Sequence, residues 1–169
     1  TGLFCAGVRP RATADPYGLR RDAIGLLTCL IDRQHAFSLR KGLSTAGKAL
    51  PIEADPNALD EALDFVLRRL EVQLRDEGFA FDVVDAAIEG GSDDPHAIRL
   101  AAEGLREMIS ADGWESKFNA YARCKRIVRD LDEPLPLAPE DDDEPSSKAL
   151  HEAYVKVSEA TETDGPSIE

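Results

Sequence analysis

Three observations predict an all-α protein of about six or seven helices with no sheet. Asp-Pro pairs recur at positions 15, 55 and 94, each joining a helix-capping side chain to the ring suited to a first helical turn. Apolar residues return at intervals of three and four through most of the chain, the period of a helix with one buried face. Only 6% of the residues are aromatic, and Ala, Leu, Arg, Asp and Glu dominate the rest.

The elements follow in order. Residues 1–14 read as the end of a helix carrying Leu3-Phe4-Cys5-Ala6, then a basic loop with Arg9 and Arg11. Asp15 is the expected N-cap of a helix running to about Arg33, with Pro16 in its first turn and Leu19, Ala23, Leu26, Leu27, Leu30 and Ile31 along one stripe. Residues 36–50 predict a short helix and turn placing Phe37, Leu39, Leu43 and Leu50. Asp55-Pro56 opens the longest helix, whose Leu59, Leu63, Val66, Leu70 and Leu74 face the core, and Gly78 closes it. Phe81, Val84 and Ile88 mark a short helix up to Gly90-Gly91. Asp94-Pro95 then starts another with Ile98, Ala102, Leu105 and Ile109 inward. After Asp112-Gly113, Trp114, Phe118, Tyr121 and Ala122 form an aromatic stripe expected in the core, so that Phe118→Ala is expected to cost about 3–5 kcal/mol. Prolines and the acidic run Glu140-Asp141-Asp142-Asp143-Glu144 break order over 132–147. Ser146 or Ser147 then caps a last helix with Leu150, Tyr154 and Val157, and 161–169 is expected to be a disordered tail.

Charge and composition exclude several classes. No run approaches 18 apolar residues, so no membrane segment is expected. Cys5, Cys29 and Cys124 have neither disulfide-framework nor zinc spacing, and His35, His96 and His151 are equally scattered. There is no phosphate-binding glycine loop, no dinucleotide fingerprint and no His-Asp pair, so no catalytic residue, metal site or bound cofactor is expected in this chain. The net charge of −13 argues against nucleic acid at first. Residues 1–50, however, hold eight Lys/Arg against three Asp/Glu, and the acidity belongs to the remainder.

Gly2-Leu3-Phe4, Gly7, Pro10 and then Asp15-Pro16-Tyr17-Gly18-Leu19-Arg20-Arg21 with Ala23 and Gly25 resemble a signature of the β chain of bacterial-type (α2β2) glycyl-tRNA synthetase. Tyr17 stands where that family usually has Phe, Gly18 where it has Ala, and Arg11-Ala12-Thr13 departs from its usual loop. Phe65-Val66-Leu67-Arg68-Arg69-Leu70, Asp76-Glu77-Gly78-Phe79 and Asp82-Val83-Val84-Asp85-Ala86 continue the likeness, as does Ala120-Tyr121-Ala122-Arg123-Cys124-Lys125-Arg126-Ile127-Val128, which lacks the family's Asn. The resemblance implies an HD-domain-like helical body over 1–110 and the start of a DALR-type anticodon-binding domain over 111–160. It implies tRNA(Gly) and the synthetase α subunit or region as partners. ATP with Mg would serve glycine activation in that α part, in the bacterial cytoplasm or in a chloroplast or mitochondrion. Thr1 begins close to a family motif without an initiating Met, which predicts a piece of a longer protein.

Polyanion binding is the function the residues themselves offer. Arg20 and Arg21 lie about 100° apart near a helix start, so at least one faces water or an anion. Arg123, Lys125, Arg126 and Arg129 fall within two turns, with 123, 126 and 129 on one ridge suited to phosphate. Tyr121 offers a stacking surface for a base, although core packing is its ordinary use. The alternatives are arginines paired to the abundant acids, and a non-catalytic acidic helical scaffold of the same descent that binds protein.

Overall fold

The computed structural model describes residues 1–10, 15–52, 55–131 and 144–164. Arg11, the acidic positions 140–143 and the tail 165–169 lie outside the described residues. Helices are α1 (Gly2–Cys5), α2 (Leu19–Asp32), α3 (Leu39–Lys48), α4 (Pro56–Asp76), α5 (Phe81–Glu89), α6 (Pro95–Ser110), α7 (Trp114–Val128) and α8 (Pro145–Asp164), and the described residues contain no strand. The all-α expectation therefore holds. The chain divides into a unit of residues 1–119 and a second of 120–169, the division falling inside α7.

In the first unit α4 is the axis, touching α1, α2, α3 and α5, while α6 lies against α2 and α5. Its stripe of Leu63, Val66, Leu70 and Leu74 is buried with Leu27, Leu30, Ile31, Leu39, Val84 and Ile98 in one core. Full burial of each such side chain stabilises the fold by about 1.5–3 kcal/mol. A second, smaller cluster sets Phe4 against Ala58 and Ala62, two small side chains that let α1 approach α4.

Two of the three Asp-Pro signals act as expected. Asp55 accepts from the Asn57 amide at 3.0 Å, and Asp94 accepts from the amides of His96 and Ala97 at 2.9 and 3.4 Å. Gly78, with φ of +91°, closes α4: its amide donates to the Arg75 carbonyl and that of Phe79 to the Leu74 carbonyl. Asp15 differs. Residues 15–18 form a turn in which the Gly18 amide donates to the Asp15 carbonyl, and α2 starts only at Leu19. The Asp15 carboxylate still caps it from outside, accepting from the amides of Leu19 and Arg20 at 2.9 and 2.8 Å. The extra turn requires Gly18 at φ +68°, a conformation in which a Cβ is strained.

The expected stripes need several corrections. Leu26, Phe37, Phe81 and Ile109 are exposed, while Phe79, Val83 and Ala87 take core places. The tight end of α4 turns Phe79 inward, and Phe81 at the head of α5 lies instead over the Arg75 guanidinium, 4.3 Å from its ring centroid. On α7 no residue is buried: Phe118 is 51% and Tyr121 61% exposed, so the aromatic stripe is not a core here. Helical period gives such residues one face, but only a neighbouring element can cover it. Leu150, Tyr154 and Val157 on α8 are likewise exposed, and that helix includes 161–164 of the expected tail.

Ion pairs and a shared cap tie the helices together. Asp93 accepts from the Ser38 hydroxyl at 2.7 Å and the Arg40 amide at 2.8 Å, so a loop before α6 caps α3, and Asp94 also accepts from the Phe37 amide. Burial works against the Asp93 charge, yet the Ser38 hydroxyl, the amides and nearby Arg40 hold its carboxyl below the usual range. Arg75 bridges Glu71 and Asp85, and Arg99 bridges Glu77 and Glu103, joining α4 to α5 and α6.

Candidate nucleic-acid interface

The expected binding residues fall into two groups, one in each unit. In the second unit Arg123, Lys125 and Arg126 lie exposed on the last turns of α7. None of the three enters an ion pair with a described residue, and the Arg126 Nε donates to the Ala122 carbonyl, at 3.4 Å. Arg129 lies in the turn just past Val128, 3.6 Å from the Asp130 carboxylate with both side chains well exposed. The ridge is therefore two helical arginines, 123 and 126, extended by a third beyond the helix end. Cations here also complement the negative end of the α7 dipole, which gives them a structural use apart from any ligand. Tyr121, near them in sequence, is exposed.

In the first unit Arg20 and Arg21 part company. Arg21 is exposed, whereas Arg20 lines a cleft of about 380 Å³ beside α4. Arg9, Arg68 and Arg69 line the same cleft, with Glu61 and Asp64. Arg9 pairs with Glu61, which raises its guanidinium further above the ordinary value despite some desolvation. Arg69 lies over the Phe65 ring, 5.3 Å from its centroid, and its Nε is buried without a hydrogen-bond partner. Sequence reasoning singled out Arg20 but not its companions. The spacing Glu61, Phe65, Arg69 and Asp64, Arg68 defines one face of α4, but nothing in the sequence says that residues 9 and 20 fold against that face.

No group of three His, Cys, Asp or Glu among the described residues is placed to hold a metal ion. No described helix is long and apolar enough to cross a membrane.

Comparison with known proteins adds an independent line. The family model described as glycyl-tRNA synthetase beta subunit matches residues 1–89. The chain is similar to the chloroplastic/mitochondrial glycine–tRNA ligase 2 of Arabidopsis thaliana, 27% identical over 164 residues, covering 96% of this chain and 15% of that protein. It is also similar to the glycine–tRNA ligase beta subunits of Moorella thermoacetica, 29% identical over 92% of this chain and 23% of the relative, and of Bacillus subtilis, 32% identical over 75% and 18%. The chain thus spans about a fifth of the length of the curated relatives it matches.

Proposed function

The chain belongs to the glycyl-tRNA synthetase beta-subunit family, and from that premise we propose that it serves a glycine–tRNA ligase by helping to hold tRNA(Gly). The observation that carries this reading is that Arg123, Lys125 and Arg126 lie exposed on the last turns of α7 without carboxylate partners among the described residues of a chain with net charge −13. Cations kept clear of so many acids suit a polyanion. Under the same proposal residues 1–110 are part of an HD-like helical body and 111–160 the opening of a DALR-type anticodon-binding domain.

Glycine activation, with ATP and Mg, belongs under this reading to the α subunit or region, the protein partner. The described residues of this chain offer no acid or histidine group fit to hold the metal, so no activation step is assigned to them. Under this reading the compartment is the bacterial cytoplasm, a chloroplast or a mitochondrion, a proposal supported by the likeness to both bacterial and chloroplastic/mitochondrial relatives.

Charge reversal tests the tRNA role. Arg126→Glu in the full chain as it occurs in the cell is expected to weaken tRNA binding by about tenfold or more, the loss of a charge-assisted contact worth roughly 1–3 kcal/mol. Its helicity, read by circular dichroism, should stay nearly unchanged, since Arg126 is exposed and its part in complementing the α7 dipole is small. Wild-type affinity should also fall steeply with salt as counterions are released. Affinity unchanged by the substitution and flat against salt would favour the protein-binding scaffold instead.

A further inference from the structure

We propose that the cleft beside α4 in the first unit binds the phosphate group of a nucleotide. Four guanidinium groups, Arg9, Arg20, Arg68 and Arg69, converge there against two carboxylates, Glu61 and Asp64, a local excess of +2 in a chain of net charge −13. Arg9 has its charge met by a cleft carboxylate, Glu61. Asp64 stands one helical turn before Arg68 yet makes no ion pair with it, and neither Arg68 nor Arg69 pairs with any described acid. In a protein with 33 acidic residues, two adjacent arginines at one cleft without a carboxylate partner among the described residues are a feature that folding alone does not require.

Arg69 supplies the second observation. Its guanidinium rests on Phe65, and its Nε is buried with no acceptor among the described residues. Buried N–H donors are nearly always satisfied in folded proteins. A ligand oxygen entering the cleft supplies the missing acceptor, and the planar fork of Arg69 then presents two parallel donors to it.

The shape and charge of the cleft narrow the ligand. A tetrahedral dianion engages guanidinium groups from α4 and α2 at once and neutralises the excess of +2, whereas one carboxylate occupies a single fork. The volume of about 380 Å³ is in the range of small-ligand sites and leaves room beyond a phosphate for a nucleoside. Phe4, Pro10 and Phe65 supply apolar wall for it, while Glu61 and Asp64 are acceptors for base N–H groups. The same two carboxylates repel a second phosphate, so the site takes one phosphate rather than a run of them. Of the tRNA-holding residues above, only Arg20 belongs to this cleft, and the two sites are tested by different substitutions.

Binding of three probes to the full chain as it occurs in the cell, read by calorimetry at fixed moderate salt, tests the site. The probes are a short single-stranded RNA with a 5′-phosphate, the same RNA without it, and AMP. The phosphorylated RNA or AMP is expected to bind about tenfold or more tightly than the unphosphorylated RNA. Binding of AMP assigns the site to a free nucleotide, and binding of the phosphorylated RNA alone to an RNA end. Arg68→Glu should abolish that advantage, and Arg69→Lys, which keeps the charge and the packing on Phe65 but not the fork, should reduce it. Arg126→Glu should leave it intact even where tRNA affinity falls. No phosphate-dependent binding by either probe, or an advantage that survives both cleft substitutions in variants whose circular dichroism matches wild type, would overturn the proposal.

Discussion

Single residues carry constraints here that their neighbours in sequence do not reveal. Gly18 sits at φ +68° between the turn of residues 15–17 and α2, so Gly18→Ala is expected to destabilise the chain by about 1 kcal/mol in urea unfolding, through backbone strain. Asp93 is a second such case. Its carboxyl is held below the usual range by hydrogen bonds that exist only in the folded chain. The stabilisation is therefore complete above the unfolded carboxylate pKa of about 3.9 and is lost as pH falls through the lower folded value. The stability gap between wild type and Asp93→Asn should accordingly be widest near neutrality and shrink in acid below about pH 4, as measured by urea unfolding across that range. Phe118 shows the opposite lesson. It reads as a core residue from its spacing but is half exposed, and Phe118→Ala should shift the melting temperature little in this chain. Leu70→Ala, at a fully buried position, should cost about 2–5 kcal/mol.

At the scale of elements, what was legible depended on whether a signal is local. Caps are local: Asp55-Pro56, Asp94-Pro95 and Gly78 act within a few residues of themselves, and the helix ends they predict are where the chain puts them. Asp15-Pro16 has the same letters, but its carboxylate reaches past Gly18 to the amides of Leu19 and Arg20, so the helix begins later. Burial is not local. The stripes of α4 and α7 look alike in sequence, yet α4 is surrounded by four helices and α7 buries nothing. The clip made by Asp93 across α3 and α6 was invisible too, because its partners Ser38 and Arg40 lie more than 50 residues away. The cation row on α7 was legible as a pattern of spacing, whereas the cleft arginines required three separate segments to meet.

For the whole molecule, charge and family set the expectations. The described residues contain no metal-holding group, and the chain carries no phosphate loop. With glycine activation assigned to an α part by the proposed function, glycine-dependent pyrophosphate exchange is expected to be absent from this chain by itself and to appear only when an α part is supplied, a rate assay with and without that part being the check. The sequence by itself determined the helical class, most helix boundaries and the family, because periodicity, capping residues and motif spacing are all written within short stretches of chain. Only the tertiary structure decided which apolar stripe is a core, which arginine faces a cleft and which carboxylate closes a distant helix. Those outcomes depend on which surfaces meet after the chain has folded back on itself, and the free energy of such meetings belongs to pairs of residues far apart in sequence.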